Sequence, residues 1–265
     1  MKNIFCLLIA FLMLYGCSSV PVTGRRQLSF IPASEMNALA VTSYNETLSS
    51  SKLSTNAEQT AMVKRVGERI SKAVEQYMAD KKMSSAISDF QWEFNLIDDP
   101  TVNAWCMPGG KVAFYTGILP ICQNDVGIAV VMGHEIAHAI ANHSGERMSQ
   151  EMVVQMGGVA LSTALQQKSE LTQQIALTVF GVGSQVGAIL PYSRLHELEA
   201  DNMGLIFMAM AGYDPNEAPK FWERMQAASG GGAPPQLLST HPSDSKRISE
   251  LQAAIPEAMK YYKPQ

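Results

Sequence analysis

The sequence predicts an α+β fold, mostly helical, with a small sheet or hairpin set beside one helix that carries two histidines. Three observations predict it. Apolar residues recur at helical spacing over most of the chain beyond residue 55, as in Met62, Val63, Val66, Ile70, Val74 and Tyr77. Alternation with period two is confined to Phe90–Leu96 and to two short runs flanking Pro108-Gly109-Gly110. The helical run that follows, from about Asn124 to Arg147, contains His134-Glu135-Ile136-Ala137-His138.

Taken in order, residues 1–16 read as a signal segment: Lys2 precedes an apolar run from Ile4 to Tyr15 that is too short to span a bilayer. Its end, Leu14-Tyr15-Gly16-Cys17, resembles a lipoprotein signal, with Cys17 as the lipidated residue. Residues 17–54 are expected to form a linker and arm, extended over 18–33 because Pro21, Gly24 and Pro32 interrupt it, with a short helix from Ser34 to about Leu48. Residues 55–265 form the main domain. Its first helix opens on Thr55-Asn56-Ala57-Glu58, which has the pattern of a capping box. The runs 103–107 and 111–116 form a plausible hairpin. Residues 152–165 and 175–190 are the most apolar of the domain, and their length favours packed core helices or a lid over a membrane span. Further helices are expected at about 194–210, at 214–227 behind Asp214-Pro215, and at 243–254, with a flexible loop from Ser229 to Pro235.

A charged fraction of 17% and a net charge of −4, with no stripe of Lys and Arg, argue against a nucleic-acid partner. With Cys6 in the signal and Cys17 lipidated, Cys106 and Cys122 remain, and in an oxidising compartment they are expected to pair.

The chemistry rests on His134 and His138. Four residues on a helix are ~40° and ~6 Å apart, so both imidazoles leave one face and are able to hold one zinc ion, with Glu135 placed as general base. A catalytic zinc takes a third protein ligand and keeps one position open. His143 lies ~140° around the helix from His138 and reads as a helix-end or supporting histidine. In His196-Glu197-Leu198-Glu199-Ala200-Asp201, Glu197 and Asp201 share a face. Glu197 is the favoured third ligand and His196 its rival. Asp201 is expected to accept from the free ring N–H of a liganding histidine, Glu199 to face solvent, and Gly204 to let the two helices approach closely. His241 has three readings: a donor to the reacting carbonyl, a fourth ligand that closes the open position, or a cap of the last helix.

His134–His138 followed by Glu197-Leu198-Glu199-Ala200-Asp201 resembles the gluzincin family that contains HtpX and the CAAX prenyl proteases, nearest to the bacterial lipoprotein proteases of the BepA and LoiP type. The likeness takes in Asn103-Ala104-Trp105, Tyr115-Thr116-Gly117 and Thr240-His241-Pro242 ahead of Arg247. It implies a zincin-like domain with one Zn²⁺ held by His134, His138 and Glu197, and with Asp201 in support. The expected function is a zinc-dependent endopeptidase of the bacterial cell envelope, lipid-anchored at the periplasmic face of the outer membrane. It would cut misfolded or misassembled envelope proteins by Glu135-assisted attack of water, with the strand at 111–116 as the edge that receives substrate. The alternative is a lipid-anchored chaperone or assembly factor whose proteolysis is secondary.

Overall fold

A computed structural model describes residues 17–228, 235–242 and 245–264. The signal expected at 1–16 and most of the loop expected at 229–235 lie outside the described residues. Where an extended linker is expected, the arm folds into a hairpin: β1 (Cys17–Ser19) pairs antiparallel with β2 (Arg26–Leu28). Helices α1 (Ala33–Ser50) and α2 (Ala57–Asp80) follow. The α2 cap is Asn56, whose side chain accepts from the Gln59 amide at 3.1 Å, so the capping box expected at Thr55 is displaced by one residue. The α2 stripe of Val63, Val66, Ile70, Val74 and Tyr77 is buried.

One sheet contains β3 (Glu93–Ile97), β4 (Ala104–Met107) and β5 (Lys111–Tyr115). Its order is β3-β5-β4, with β3 parallel and β4 antiparallel to β5. The strand expected to offer an edge, β5, is therefore the central one, and β4 holds the open edge. Phe94, Leu96, Val112 and Phe114 join the α2 stripe in one core.

Helix α3 (Asp125–Ile140) is capped by Asn124, which accepts from the Val126 and Gly127 amides. Every residue from Gly127 to Ile140 is buried, so α3 is apolar all round because it has no solvent face. The helix expected to reach Arg147 stops early. Asn142 adopts φ +55°, a left-handed conformation that asparagine tolerates better than most residues, and α4 (His143–Ala164) departs from there. Helix α5 (Glu170–Ser184) and a π-helical turn (Gln185–Ile189) lead into α6 (Leu190–Met210). Helices α7 (Glu217–Ala227), α8 (Gln236–Thr240) and α9 (Ser245–Ala258) complete the chain. Gly133 of α3 faces Gly204 of α6. A Cβ on Gly133 would stand 2.8 Å from the Gly204 carbonyl oxygen, which only glycine avoids. This contact sets α6 against the two-histidine helix.

Of the two readings of the α4–α5 hairpin, packed core helices or a lid, the exposure of its apolar side chains excludes the first. Helix α5 has no buried residue, and Met156, Val159, Leu171, Val179 and Val182 are all exposed. The run Glu170–Met210 is long and apolar enough to cross a membrane by length and composition, with none of its most apolar window buried. Its second half, however, carries His196, Glu197, Glu199 and Asp201 inside the protein.

Cys106 and Cys122 are free thiols, so the expected disulfide is not formed. They sit in different surroundings: Cys106, on β4, donates to the Met107 carbonyl, and Cys122, itself buried, ends a helical turn at Leu119–Cys122. Burial raises both thiol pKa values, which keeps the reactive thiolate scarce.

Candidate metal centre

Helix α3 supplies His134, Glu135 and His138, α6 supplies Glu197 and Asp201, and His241 closes α8. His134, His138, Glu197 and His241 each turn one donor atom inward, all within 4.8 Å of one another. His134 Nε2 lies 3.1 Å from His138 Nε2 and 3.4 Å from Glu197 Oε2, and His241 Nδ1 lies 3.0 Å from Glu197 Oε1. His196, the rival third ligand, turns away and meets Glu146 Oε2 at 2.8 Å.

The surrounding carboxylates fix which nitrogen of each ring faces inward. His134 Nδ1 is 2.9 Å from Asp201 Oδ1 and donates to it, which leaves Nε2 for the cluster. The second histidine is set through an intermediary. His143 Nε2 donates to Glu199 Oε2 at 3.0 Å, so its Nδ1 is a lone pair that accepts from His138 Nδ1 at 2.8 Å. His138 Nε2 is then a lone pair as well. Two imidazole lone pairs 3.1 Å apart repel unless positive charge lies between them.

The charge balance points the same way. Glu135, Glu146, Glu197, Glu199 and Asp201 are all buried, and two guanidinium groups pair with four of them, Arg25 with Glu146 and Glu199 and Arg247 with Glu197 and Asp201. The negative excess draws in a cation. Burial by itself would lower the His134 pKa, but Asp201 and Glu197 raise it to about 9, so in the absence of metal these carboxylates pull a proton to the place where a divalent ion fits. Burial also raises the pKa of Glu135, whose Oε1 has no hydrogen-bond partner. A buried carboxylate with one oxygen free of hydrogen bonds, beside the cluster, is suited to accept a proton.

Several supporting residues escape sequence reasoning. Arg247 grips Asp201 through Nε–Oδ2 (2.7 Å) and Nη2–Oδ1 (2.8 Å), reaches Glu197 Oε2 at 3.1 Å, and lies over the Trp222 ring at 3.8 Å. Glu199, expected in solvent, is buried against His143 and the N-terminal arm, because the arm covers that side of α6. The visible signals are the density of acids and histidines in 196–201 and the place of Arg247 behind Thr240-His241-Pro242.

The model of Peptidase family M48 matches residues 58–255. The chain belongs to peptidase family M48. Members of this family are zinc metallopeptidases, and the histidine–glutamate cluster suits that ion. The mitochondrial metalloendopeptidase OMA1 of Schizosaccharomyces pombe is 35% identical over 90% of this chain and 66% of its own length. OMA1 of Saccharomyces cerevisiae is 37% identical over 72% of the chain and 55% of its own length. The putative beta-barrel assembly-enhancing protease of Vibrio cholerae is 33% identical over 59% of the chain and 33% of its own length. The chain thus spans between a third and two thirds of these relatives. These matches correct two expectations. The likeness to the bacterial assembly-enhancing proteases covers less of the chain than the likeness to OMA1. The placement at the periplasmic face of a bacterial outer membrane is overturned, because the relatives matched over nine tenths of the chain are mitochondrial proteins.

Proposed function

We propose that this M48 peptidase is an endopeptidase in which His134, His138 and Glu197 hold the zinc ion and Glu135 is the general base. The observation that carries this reading is the pair of inward lone pairs on His134 and His138, closed by Glu197, beside a Glu135 Oε1 that no hydrogen bond occupies. When bound, zinc acts as a Lewis acid that polarises the scissile carbonyl and makes water a usable nucleophile near neutral pH. Glu135 accepts the proton of the attacking water and returns it to the leaving amine. Asp201, held by Arg247, keeps His134 in its liganding tautomer. An extended substrate pairs with the open edge of β4, which lies beside α3. A cleft of about 600 Å³ reaches Glu197 between Val186, Leu190, Leu198 and Pro242, and it suits apolar substrate side chains. Its wall is the base of the exposed hairpin, consistent with a lid.

His241 stands among the donor atoms, with Nδ1 at 3.2 Å from His134 Nε2 and Nε2 at 3.6 Å from Glu135 Oε1. This placement supports its reading as a fourth donor that holds the site closed. His241→Ala then raises peptidase activity; a loss of activity would assign it the donor role instead. Glu135→Gln is expected to retain one zinc per chain while losing cleavage of casein, and wild-type cleavage by that variant would refute the assignment.

The exposed hairpin supports a second reading, in which the chain also holds unfolded polypeptide. Glu135→Gln protein would then suppress aggregation of a denatured client as well as wild type, and Val179→Lys with Val182→Lys would abolish that effect.

A further inference from the structure

Residues 20–25 form the tight turn between β1 and β2. The Val20 amide donates to the Arg25 carbonyl at 2.8 Å and the Gly24 amide to the Val20 carbonyl at 2.9 Å, with Gly24 at φ +70°. This turn lies outside residues 58–255, the part shared with the family model. It nevertheless reaches the supporting network of the metal centre. Arg25 meets Glu146 through Nη2–Oε2 (2.7 Å) and Nη1–Oε1 (3.0 Å), and its Nε donates to Glu199 Oε2 at 2.7 Å. The Thr23 hydroxyl donates to Glu199 Oε1. Both acids are buried. Glu199 accepts from His143, whose Nδ1 accepts from His138. Glu146 accepts from His196, whose ring stacks on His143 with centroids 4.2 Å apart and planes at 14°.

We infer that the N-terminal turn is a working part of the metal centre, with Arg25 and Thr23 as positioning residues that act through Glu199 and His143 to hold the donor nitrogen of His138 toward the ion. The inference rests on the zinc site proposed above. Glu146 and Glu199 share one guanidinium, and without it two buried carboxylates face each other and repel. Glu199 then loses its seat, and His143 loses the bond that makes its Nε2 the donor. With the His143 tautomer free, His138 is free to carry its proton on Nε2, the form that cannot ligate. The arm thereby couples its own docking to metal retention.

The test uses the full chain, with zinc affinity read by competition against a chelator and ligand geometry read from the visible absorption of the Co²⁺-substituted protein. Arg25→Ala is expected to weaken zinc binding ~10–100-fold, the range found for partners behind a ligand, and to change the cobalt band. Arg25→Lys restores part of the affinity, since one ammonium reaches one acid, and Thr23→Val gives a smaller loss of the same kind. Arg26→Ala, one residue along on an exposed side chain, leaves both readouts at wild type. A merely structural arm would lower the melting temperature of Arg25→Ala yet leave the affinity and cobalt spectrum of the folded fraction unchanged, and that result overturns the inference. Should Arg25→Ala fail to fold, wild-type affinity and spectrum in both Thr23→Val and Arg25→Lys overturn it equally. His138→Ala separates the two claims: if it retains zinc, the proposed site itself is wrong, whereas its loss of zinc with no effect at Arg25 removes only the role of the arm.

Discussion

The metal centre and the α4–α5 hairpin are built inside out relative to each other. Around the centre, five acids, five histidines and Arg247 are packed beneath the surface or at its margin, with Glu146 and His143 each 1% exposed. On the hairpin, Val159 is 68% exposed and Leu171 and Val179 67% each. Buried charge is tolerable only where each group has a partner, and the distances above show a chain of partners running from Arg25 to Arg247. Exposed aliphatic side chains have no such constraint; they carry a hydration cost that only a binding partner removes. The first region is therefore sensitive to any single deletion. The second is tolerant of substitution in the isolated protein.

The strongest way to break this contrast is to remove a ligand. Glu197→Ala is expected to abolish stoichiometric zinc binding and lower kcat/KM by at least ~10³-fold, within the range that follows loss of a central catalytic group. Metal analysis together with peptide cleavage checks it; a variant that keeps one zinc per chain would show that the third donor lies elsewhere. Next in size is Arg247→Met. Asp201 then stays buried without its guanidinium, and loss of one partner of such a pair costs about 3–5 kcal/mol. Urea unfolding of the zinc-free protein measures it, and a cost under about 1 kcal/mol would mean that water reaches Asp201.

The dependence on pH follows from the same burial. Burial drives the His143 pKa down to about 4 against an ordinary 6.5, more strongly than its bond to Glu199 raises it. The unfolded chain thus takes up a proton that folded His143 refuses, and stability of the metal-free protein falls as pH drops from 6.5 toward 4. Glu199 has the opposite balance: burial would raise its pKa, but bonds from His143, Thr23 and Arg25 outweigh that and hold it at about 2. Its stabilisation is complete above pH 4.5 and lost as pH falls toward 2. His143→Gln should flatten the upper part of the acid limb in urea titrations; equal slopes above pH 4 in both proteins would refute the assignment.

What was legible in the sequence follows the range of the contacts. His134, Glu135 and His138 share a helical turn, and Glu197 and Asp201 share another, so spacing along one helix was enough to pair them. The helices and the β4–β5 hairpin were legible for the same local reason. His143 is the helix-end, supporting histidine that the sequence implies, but its contact with His138 depends on the left-handed Asn142, which ends α3 before it and which helical spacing does not contain. Arg25 lies 121 positions from Glu146 and 174 from Glu199, beyond any periodicity. The central place of β5 depends on β3 choosing it as a parallel partner, which a hairpin signal does not contain. Hydropathy leaves the α4–α5 hairpin between core helices and a lid because it scores apolar content and is blind to whether anything covers it.

That blindness supplies the smallest expected effect, and the one that sharpens the comparison most. Val179 and Val182 project from α5, which buries no residue, so replacing both by Thr removes little apolar surface from any interior. Surface substitutions of this kind change stability by within about 0.5 kcal/mol, and zinc content should not move. The same exchange at Val130 or Ile136, buried in α3, takes apolar groups out of a packed site and inserts a hydroxyl, at a cost of roughly 1–3 kcal/mol each. Paired urea melts of the Val179/Val182 and Val130/Ile136 variants measure the difference directly. If the α5 pair proves as costly as the α3 pair, the hairpin is covered in solution by a surface of the protein itself, and its apolar stripe belongs to the fold and not to a partner or substrate.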